Sequence, residues 1–424
     1  MRQTFFTIPP WLFDGPLLVA WLIIGLVILG WLVRRHGWKS ESLNFLPVYL
    51  VGALLLAFVI PHIQIQAINP ADPTGPPVPG GLAVRGYGVM MLLGMLAGVG
   101  LSLWRGRQEN VDPEQLLTLA FWMAICGIVG ARLFYVIQKV DEYSGLSPGE
   151  ALGKMINVTE GGLVVYGSLI GATAGGGFYL WWSRLPPLKV ADIVAPGMVL
   201  GLAIGRIGCL MNGCCFGGPC DLPAVAQEFP AGSAPWMRQL QTGELLGFQL
   251  VTDEDPDVAA ANWQRVESVQ AESLAAEYGI RPDNRIRIEL PETPLPVDQY
   301  IRAEKSGLPT GLSLVIRRLN APAVVIPFAA TPDRSRGVYP TQILAAINAT
   351  LLAMLLWFYY PFRRYRGRVF GLMLILYSMT RFLLEIIRRD EYGQLGTTLT
   401  ISQLVSGAML VIGLGLFLAA RQRI

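Results

Sequence analysis

Histidine is almost missing from this chain. His36 and His62 are the only two in 424 residues. A metal centre built on several imidazoles is therefore not expected, and no cofactor motif suggests a bound group. Charge is scarce too, at 15% of residues, where soluble domains carry about 25%. No segment interleaves lysine and arginine with aromatics, which argues against nucleic acid as a partner. There is no convincing internal repeat, so an inverted-repeat transporter loses weight. The five cysteines are Cys126, Cys209, Cys214, Cys215 and Cys220. Four of them cluster, unlike a scattered disulfide framework.

What the chain has is apolar length. Hydrophobic residues make up 53% and the mean hydropathy is positive. Apolar runs fall at about 17–33, 45–60, 87–104, 115–137, 161–183, 190–210, 340–360, 369–387 and 399–420. A membrane span needs about 20 mostly apolar residues. The expectation is an all-α polytopic membrane protein with about nine transmembrane helices, two of them N-terminal extras to a seven-helix core. A small mixed α/β extracytoplasmic insertion interrupts the core. The first run ends at Arg34 and Arg35, not at a small-residue cleavage site, so it reads as an anchored span.

The expected divisions are 1–75, an N-terminal pair of helices with a proline- and glycine-rich loop; 76–217, the first part of the core; 218–338, a head domain; and 339–424, the last part of the core. Within the head, 259–278 (AAANWQRVESVQAESLAAEY) has helical character, and 285–290 (RIRIEL) alternates like a strand. One set of short loops carries Arg34, Arg35, Lys39, Arg105, Arg107, Arg184, Lys189, Arg363, Arg364, Arg366 and Arg368. The excess of positive charge places these loops and the C-terminus in the cytoplasm. Arg388 and Arg389 go against that pattern.

Three arginines, Arg132, Arg206 and Arg381, lie in or near apolar runs. A charge at the centre of a span costs about 2.5–3.5 kcal/mol on insertion scales and marks a functional site by default. Several together suggest a buried anion, and in a membrane the obvious anion is a lipid phosphate. A planar guanidinium matches phosphate oxygens in bidentate fashion. Arg206 sits in 201–217, GLAIGRIGCLMNGCCFG, where small residues permit close packing or close approach to a ligand. Arg132 lies in GARLFYVIQ beside Tyr135. Arg381, Glu385 and Arg388 recur at i, i+4 and i+7 on one helical face. Glycines flank Tyr166 in EGGLVVYGSLIG, among them Gly162 and Gly167. Each pattern has a plainer reading: a snorkelling arginine, a structural Arg–Glu pair, a packing stripe, a core tyrosine. The cysteine spacing C-x4-C-C-x4-C is not a usual zinc pattern. It leaves an outer-face disulfide, simple packing, and a metal or nucleophile role open.

Taken in order, the segments resemble prolipoprotein diacylglyceryl transferases, bacterial membrane enzymes that lipidate a cysteine of lipoprotein precursors. Family members carry Gly-Arg-x-x-Asn-x-x-Asn-Gly-Glu-x-x-Gly, matched here by Gly205, Arg206, Asn212, Gly213 and Gly217. The entry to the first core helix is matched by Tyr87 and Gly88, and the Gly-x-Arg helix by Arg132. DIVAP supplies Asp192 and Pro196, and YPTQ, ending at Gln342, resembles His-Pro-Ser/Thr-Gln. RFLLEIIR supplies Arg381, Glu385 and Arg388, and ISQLVS supplies Gln403. Three departures stand out. Tyr166 and Tyr339 replace family histidines, and Cys209 and Cys214 replace the signature's first asparagine and its glutamate. Gly-Cys-Cys-x-Gly looks like a divergent branch.

The resemblance implies transfer of the diacylglyceryl group of phosphatidylglycerol to the lipobox cysteine thiol of a prolipoprotein signal peptide. A thioether forms and glycerol 1-phosphate leaves. It implies the bacterial cytoplasmic (inner) membrane, with a site near the outer face. Arg206, Arg381 and Tyr166 are the expected catalytic residues. Arg132, Tyr87, Gly162, Gly167, Asn212, Gly217, Glu385, Arg388, Gln342 and Gln403 are the expected substrate-binding ones. A phenol is a weaker base than imidazole at neutral pH, and a free thiol is already a few per cent ionised there. Two readings follow: Tyr166 acts as the base with help from a nearby arginine, or no protein base is needed and the Tyr166 hydroxyl binds phosphate or glycerol, the preferred reading. A paralogue that only binds phospholipid or modifies another thiol, and a lipid or anion transporter, are the competing readings.

Overall fold

The computed structural model describes residues 4–12, 15–36, 45–54, 56–57, 65–73, 75–143, 145, 147–157, 161–252, 262–388 and 399–419. Helices predominate. They are α1 (Pro16–His36), α2 (Phe45–Leu54), α3 (Gly86–Gln108), α4 (Pro113–Gln138), α5 (Pro148–Ile156), α6 (Val165–Trp182), α7 (Pro187–Asn212), α8 (Ala234–Gln241), α9 (Val297–Lys305), α10 (Thr341–Tyr359), α11 (Arg368–Ile387) and α12 (Ile401–Ala419). The strands are β1 (Thr4–Ile8), β2 (Gln66–Ala67), β3 (Val78–Pro79), β4 (Leu82–Arg85), β5 (Phe248–Thr252), β6 (Gln264–Val269), β7 (Arg285–Glu289), β8 (Ser313–Arg318) and β9 (Ala321–Pro327).

Among the described residues, 7 helices are long and apolar enough to cross a membrane. The chain is a multi-pass membrane protein. Two of the nine expected runs fall outside that set. The run at 45–60 gives only the ten-residue α2, and residues 55 and 58–60 lie outside the described part. The run at 161–183 gives α6, an 18-residue helix diluted by glycines.

The chain divides into two compact units. The first comprises 1–88 and 209–340. In it β1 pairs antiparallel with β4. Tyr49 of α2 donates its hydroxyl to Leu22 O of α1 at 2.9 Å, while Trp21 Nε1 donates to Tyr49 O at 3.1 Å. The head is a five-stranded antiparallel sheet in the order β5-β6-β7-β8-β9. Its core holds Trp236, Leu240, Phe248, Val266, Ile286, Ile301, Leu314, Ile316, Ile326 and Phe328. The alternation of β8 is simple: Leu314 and Ile316 point inward, Ser313 and Val315 less so. The helical reading of 259–278 needs correction. Residues 264–269 form β6, and helix is confined to Leu274–Glu277, with 259–261 outside the described residues. Val266 faces Leu250, and Val269 faces Phe248 across the β5–β6 ladder. Cross-strand burial of β-branched residues outweighs the helix propensity of the alanines and glutamates around them.

The second unit comprises 89–208 and 341–424. Glycines set its helix spacing. On α4, a Cβ at Gly130 would lie 2.4 Å from Gly167 O of α6. On α7, a Cβ at Gly197 would lie 2.4 Å from Gly98 O of α3. Only a bare Cα allows backbones this close, the packing mode of small residues in membranes. Between them runs a core of Val190, Ile193, Val199, Leu352, Leu356, Val369 and Met373. Helix ends are specified locally. Asp112 caps α4 by accepting from Glu114 N at 3.0 Å, with Pro113 in the first turn. Ser147 and Glu150 form a capping box on α5.

At one end of this unit, loops that the charge pattern assigns to a common side are tied together. Arg363 Nη2 pairs with Glu109 at 2.7 Å, and Lys189 Nζ donates to Glu109 O at 2.7 Å. Asp192 of α7 is almost wholly buried. Its carboxylate accepts from Gly367 N at 2.7 Å and Phe370 N at 2.9 Å, the otherwise orphaned donors that open α11.

Candidate active site

The polar centre of the second unit is built on the last turns of α11 and the first turn of α12. Helical spacing places Glu385 one turn beyond Arg381, and Arg388, the extended residue that caps α11, turns its guanidinium to the same carboxylate. Glu385 Oε2 lies 2.5 Å from Arg381 Nη1 and 3.6 Å from Arg388 Nη1. The Glu385 side chain is 1% exposed, Arg381 15% and Arg388 8%. One carboxylate thus faces two guanidinium groups, and the trio carries net +1 out of water. Arg381 Nη2 also donates to Ser402 Oγ at 2.8 Å. Tyr166, in the first turn of α6, shares a hydrogen bond with the same Ser402 Oγ at 3.2 Å. Ser402 is therefore the hinge between arginine and phenol. Thr400 completes the other side: Oγ1 lies 3.4 Å from Glu385 Oε1, and its backbone N donates to Gln403 Oε1 at 3.0 Å.

Arg381, Glu385, Arg388, Tyr166 and Gln403 are thereby brought into one hydrogen-bonded group, drawn from α6, α11 and α12. Ser402 and Thr400 belong to it too, and sequence reasoning misses them. Both lie within a residue or three of Gln403, but a serine or threonine at a helix start reads as a cap. Nothing in the sequence pairs them with an arginine some twenty residues earlier.

Arg132 sits elsewhere in the same unit. Its Nε donates to Met155 O at 2.8 Å, Nη2 to Lys154 O at 2.6 Å, and Nη1 to Gly161 O at 2.8 Å and Gly162 O at 3.2 Å. Its fork is turned onto the C-terminal carbonyls of α5 and the glycine pair leading into α6. Cations suit helix C-termini. Gly161 and Gly162 have φ of +91° and +74°, which a side chain would strain, and a Cβ at Gly162 would lie 2.5 Å from Arg132 Nη1. In this arrangement Arg132 shapes the strand of chain preceding Tyr166. Gly167 serves the α4–α6 crossing. Arg206 is half-buried on α7, and Gln342 is buried at the start of α10.

The remaining expected residues lie in the first unit. Gly217 N donates to Tyr339 O at 3.0 Å, which ties the end of the glycine-rich signature to the YPTQ segment that leads into α10. Asn212 lines a cavity of about 550 Å³ with Arg85, Asp298 and Arg302. Tyr87 is partly exposed at the start of α3. None of the five cysteines is joined in a disulfide.

The prolipoprotein diacylglyceryl transferase family profile matches residues 77–419. A Rhodopirellula baltica protein named phosphatidylglycerol–prolipoprotein diacylglyceryl transferase is 33% identical over 96% of this chain and 86% of its own length. That coverage takes in most of the segment before residue 77. Proteins of the same name from Thermosynechococcus vestitus and Dehalococcoides mccartyi are 34% and 41% identical. Those matches cover 34% and 32% of this chain, and 52% and 51% of the relatives.

Proposed function

Because the chain belongs to the prolipoprotein diacylglyceryl transferase family, we propose that its Arg381–Glu385–Ser402–Tyr166 group binds and polarises the phosphate of phosphatidylglycerol during transfer. The protein transfers the diacylglyceryl group of that lipid to a cysteine thiol of a prolipoprotein. The thiol sulfur attacks the glyceryl carbon bonded to the phosphate oxygen. A carbon–sulfur bond forms, the carbon–oxygen bond breaks, and the electron pair leaves on glycerol 1-phosphate. The thiol proton passes to solvent or to the leaving phosphate.

The observation that carries this reading is the net positive charge of the buried trio. Glu385 neutralises one of its two arginines and fixes the orientation of Arg381. The leaving phosphate gains charge as the carbon–oxygen bond lengthens, and fixed donors in a water-poor site stabilise that change most. Arg206 supplies a further cation from α7, and Arg132 holds the loop before Tyr166. The Tyr166 hydroxyl, bonded to the same Ser402 as Arg381, orients phosphate or glycerol oxygens. The attacking thiol needs no enzyme nucleophile, because the fraction already ionised suffices when a guanidinium is near.

The acceptor is the lipobox cysteine of the signal peptide, presented at the outer face of the bacterial inner membrane. The C-terminus is cytoplasmic, a reading supported by the arginine-rich short loops. Residues 218–338 serve as the extracytoplasmic head, and residues before 76 as an N-terminal addition to the core. Phosphatidylglycerol in liposomes, a lipobox peptide and mass spectrometry test the proposal. A diacylglyceryl mass gain that Arg381→Ala and Arg206→Ala both abolish is the expected result. A folded protein that binds phosphatidylglycerol but yields no mass gain overturns it.

A further inference from the structure

The end of α7 carries a feature the transfer reaction does not use. Gly213 adopts φ +75°, its N donates to Leu210 O at 3.3 Å, and Cys214 N donates to Cys209 O at 3.2 Å. These are the paired bonds of a Schellman cap, which folds the second residue past the helix back onto the residue three before its end. Those two positions are Cys214 and Cys209. In most proteins an apolar contact closes this cap. Here two thiols do, and Cys214 Sγ lies 3.7 Å from Cys209 O.

Cys215 adds the third. Its φ is +59°, a left-handed conformation that a residue with a Cβ rarely adopts and that costs about 1 kcal/mol or more. In an extended chain the side chains of Cys214 and Cys215 would diverge. The left-handed residue instead keeps them together. The sulfur atoms of Cys209, Cys214 and Cys215 all lie within 4.8 Å of one another, and each cysteine is half-buried. Asn212 adds a hydrogen bond to the Cys214 thiol. Cys220 lies apart from the trio, with its thiol on Leu222 O.

We infer that Cys209, Cys214 and Cys215 form a three-thiolate site for a thiophilic cation, Zn2+ or Cu+, at the C-terminal end of α7. A metal–sulfur bond of about 2.3 Å with tetrahedral angles puts ligand sulfurs about 3.8 Å apart, so closing by at most about 1 Å completes the set. A disulfide needs its sulfurs at about 2.05 Å and would leave one of the three over. Simple packing does not account for a strained backbone at a half-exposed cysteine. The three thiols lose their protons as the cation binds, so uptake releases acid. Three thiolates on Zn2+ leave a fourth position for water or another donor, whereas Cu+ is satisfied by three. The site stands whether or not the transferase reading does.

The test uses the full chain in detergent under reducing, metal-free conditions. Iodoacetamide labelling read by mass spectrometry counts accessible thiols without and with one equivalent of Zn2+ or of Cu+. Co2+ titration reports thiolate ligation as sulfur-to-cobalt charge-transfer absorbance. The expected result is protection of Cys209, Cys214 and Cys215 together, with one cation per chain. Cys209→Ser and Cys214→Ser weaken Co2+ binding by at least about 100-fold. Cys126→Ser and Cys220→Ser leave it unchanged. Protection by Zn2+ but not Cu+, or the reverse, identifies the cation. The inference fails if neither cation protects the trio in the wild-type chain, or if acid-quenched protein as first isolated shows two of the three joined as a disulfide. The protection experiment needs no variant, so a misfolded cysteine mutant does not leave the question open.

Discussion

Glu385 stands one helical turn beyond Arg381, and its Oε2 lies 2.5 Å from Arg381 Nη1 with the carboxylate sealed from solvent. The pair fixes where the guanidinium points and cannot be cut on one side without cost. Truncating Arg381 to alanine leaves the buried carboxylate with the more distant Arg388 cation at 3.6 Å. Breaking a buried pair from one side typically destabilises by about 3–5 kcal/mol. Arg381→Ala should lower the unfolding temperature and abolish transfer.

The sharper variants keep the charge or the shape. Arg381→Lys retains the charge but not the planar fork that reaches Glu385 and Ser402 together. Transfer should fall about 100-fold, or about 2.7 kcal/mol in the barrier, with phosphatidylglycerol still bound. Glu385→Gln removes the charge and leaves Arg381 held only by Ser402 and a neutral amide oxygen, and should slow turnover at saturating lipid at least about tenfold. Initial rates by mass spectrometry settle both. Wild-type turnover in Glu385→Gln would show that the carboxylate does not position Arg381.

Tyr166 separates two accounts of thiol activation. Its hydroxyl meets Ser402 Oγ at 3.2 Å, and Ser402 in turn receives Arg381. If the hydroxyl only orients substrate, Tyr166→Phe loses one hydrogen bond worth about 1 kcal/mol, and transfer slows about tenfold or less. Raising the pH should then speed wild type and Tyr166→Phe in parallel, because the substrate thiol ionises in both. Abolished transfer with intact lipid binding in Tyr166→Phe would instead make the phenol the base.

How much of this is legible in the sequence differs by level. Long apolar runs mark α3, α4, α7, α10, α11 and α12 nearly where they lie, since a span is specified by length and composition alone. The Arg381–Glu385 pair follows from helical spacing, while Arg388 reaches the same carboxylate from the extended cap of α11. Ser402 does not, because its role depends on α12 lying against α11 and on where Tyr166 enters. Arg132 reads as a phosphate ligand from its residue type. Its engagement with four backbone carbonyls depends on α5 ending beneath it, and so short a helix leaves no apolar run in the sequence. Strand β6 reads as helix because alanine and glutamate lie on both sides of it, while the valines that decide the matter need partners on β5. The cysteine trio is hidden by its spacing. The cap at Gly213 and the left-handed Cys215 are what convert C-x4-C-C into a cluster.

The α4–α6 crossing allows a clean packing test. A Cβ on Gly130 would sit 2.4 Å from Gly167 O, and one on Gly167 would sit 2.4 Å from Gly130 O. Neither obstacle is a flexible side-chain end. Gly130→Ala and Gly167→Ala should each destabilise by about 1–3 kcal/mol as the helices are forced apart. At Gly177, on the same α6, a Cβ would meet nothing within 4 Å. Gly177→Ala should be neutral or stabilising by up to about 1 kcal/mol. Thermal unfolding in one detergent compares the three, and equal shifts at Gly130 and Gly177 would refute the close-contact account.

Asp192 links α7 to the start of α11, the helix that carries Arg381. Its carboxylate takes hydrogen bonds from Gly367 N and Phe370 N, with Arg363 Nε at 3.8 Å. An α-helix leaves its first amides unpaired, and burial makes that expensive unless an acceptor is supplied. Asp192→Ala removes the acceptor from both amides and the more distant of the two carboxylates facing Arg363, which keeps Glu109 at 2.7 Å. A loss of about 3 kcal/mol is expected. Asp192→Asn keeps one acceptor oxygen, and should lose roughly half as much. Because the substitution lies at the opposite end of α11 from Arg381, turnover per folded molecule should survive at low temperature in both variants. Unfolding temperature and turnover should therefore part company: a lowered midpoint with near-normal turnover below it. Full loss of turnover in well-folded Asp192→Asn would instead place Asp192 in the transfer chemistry itself.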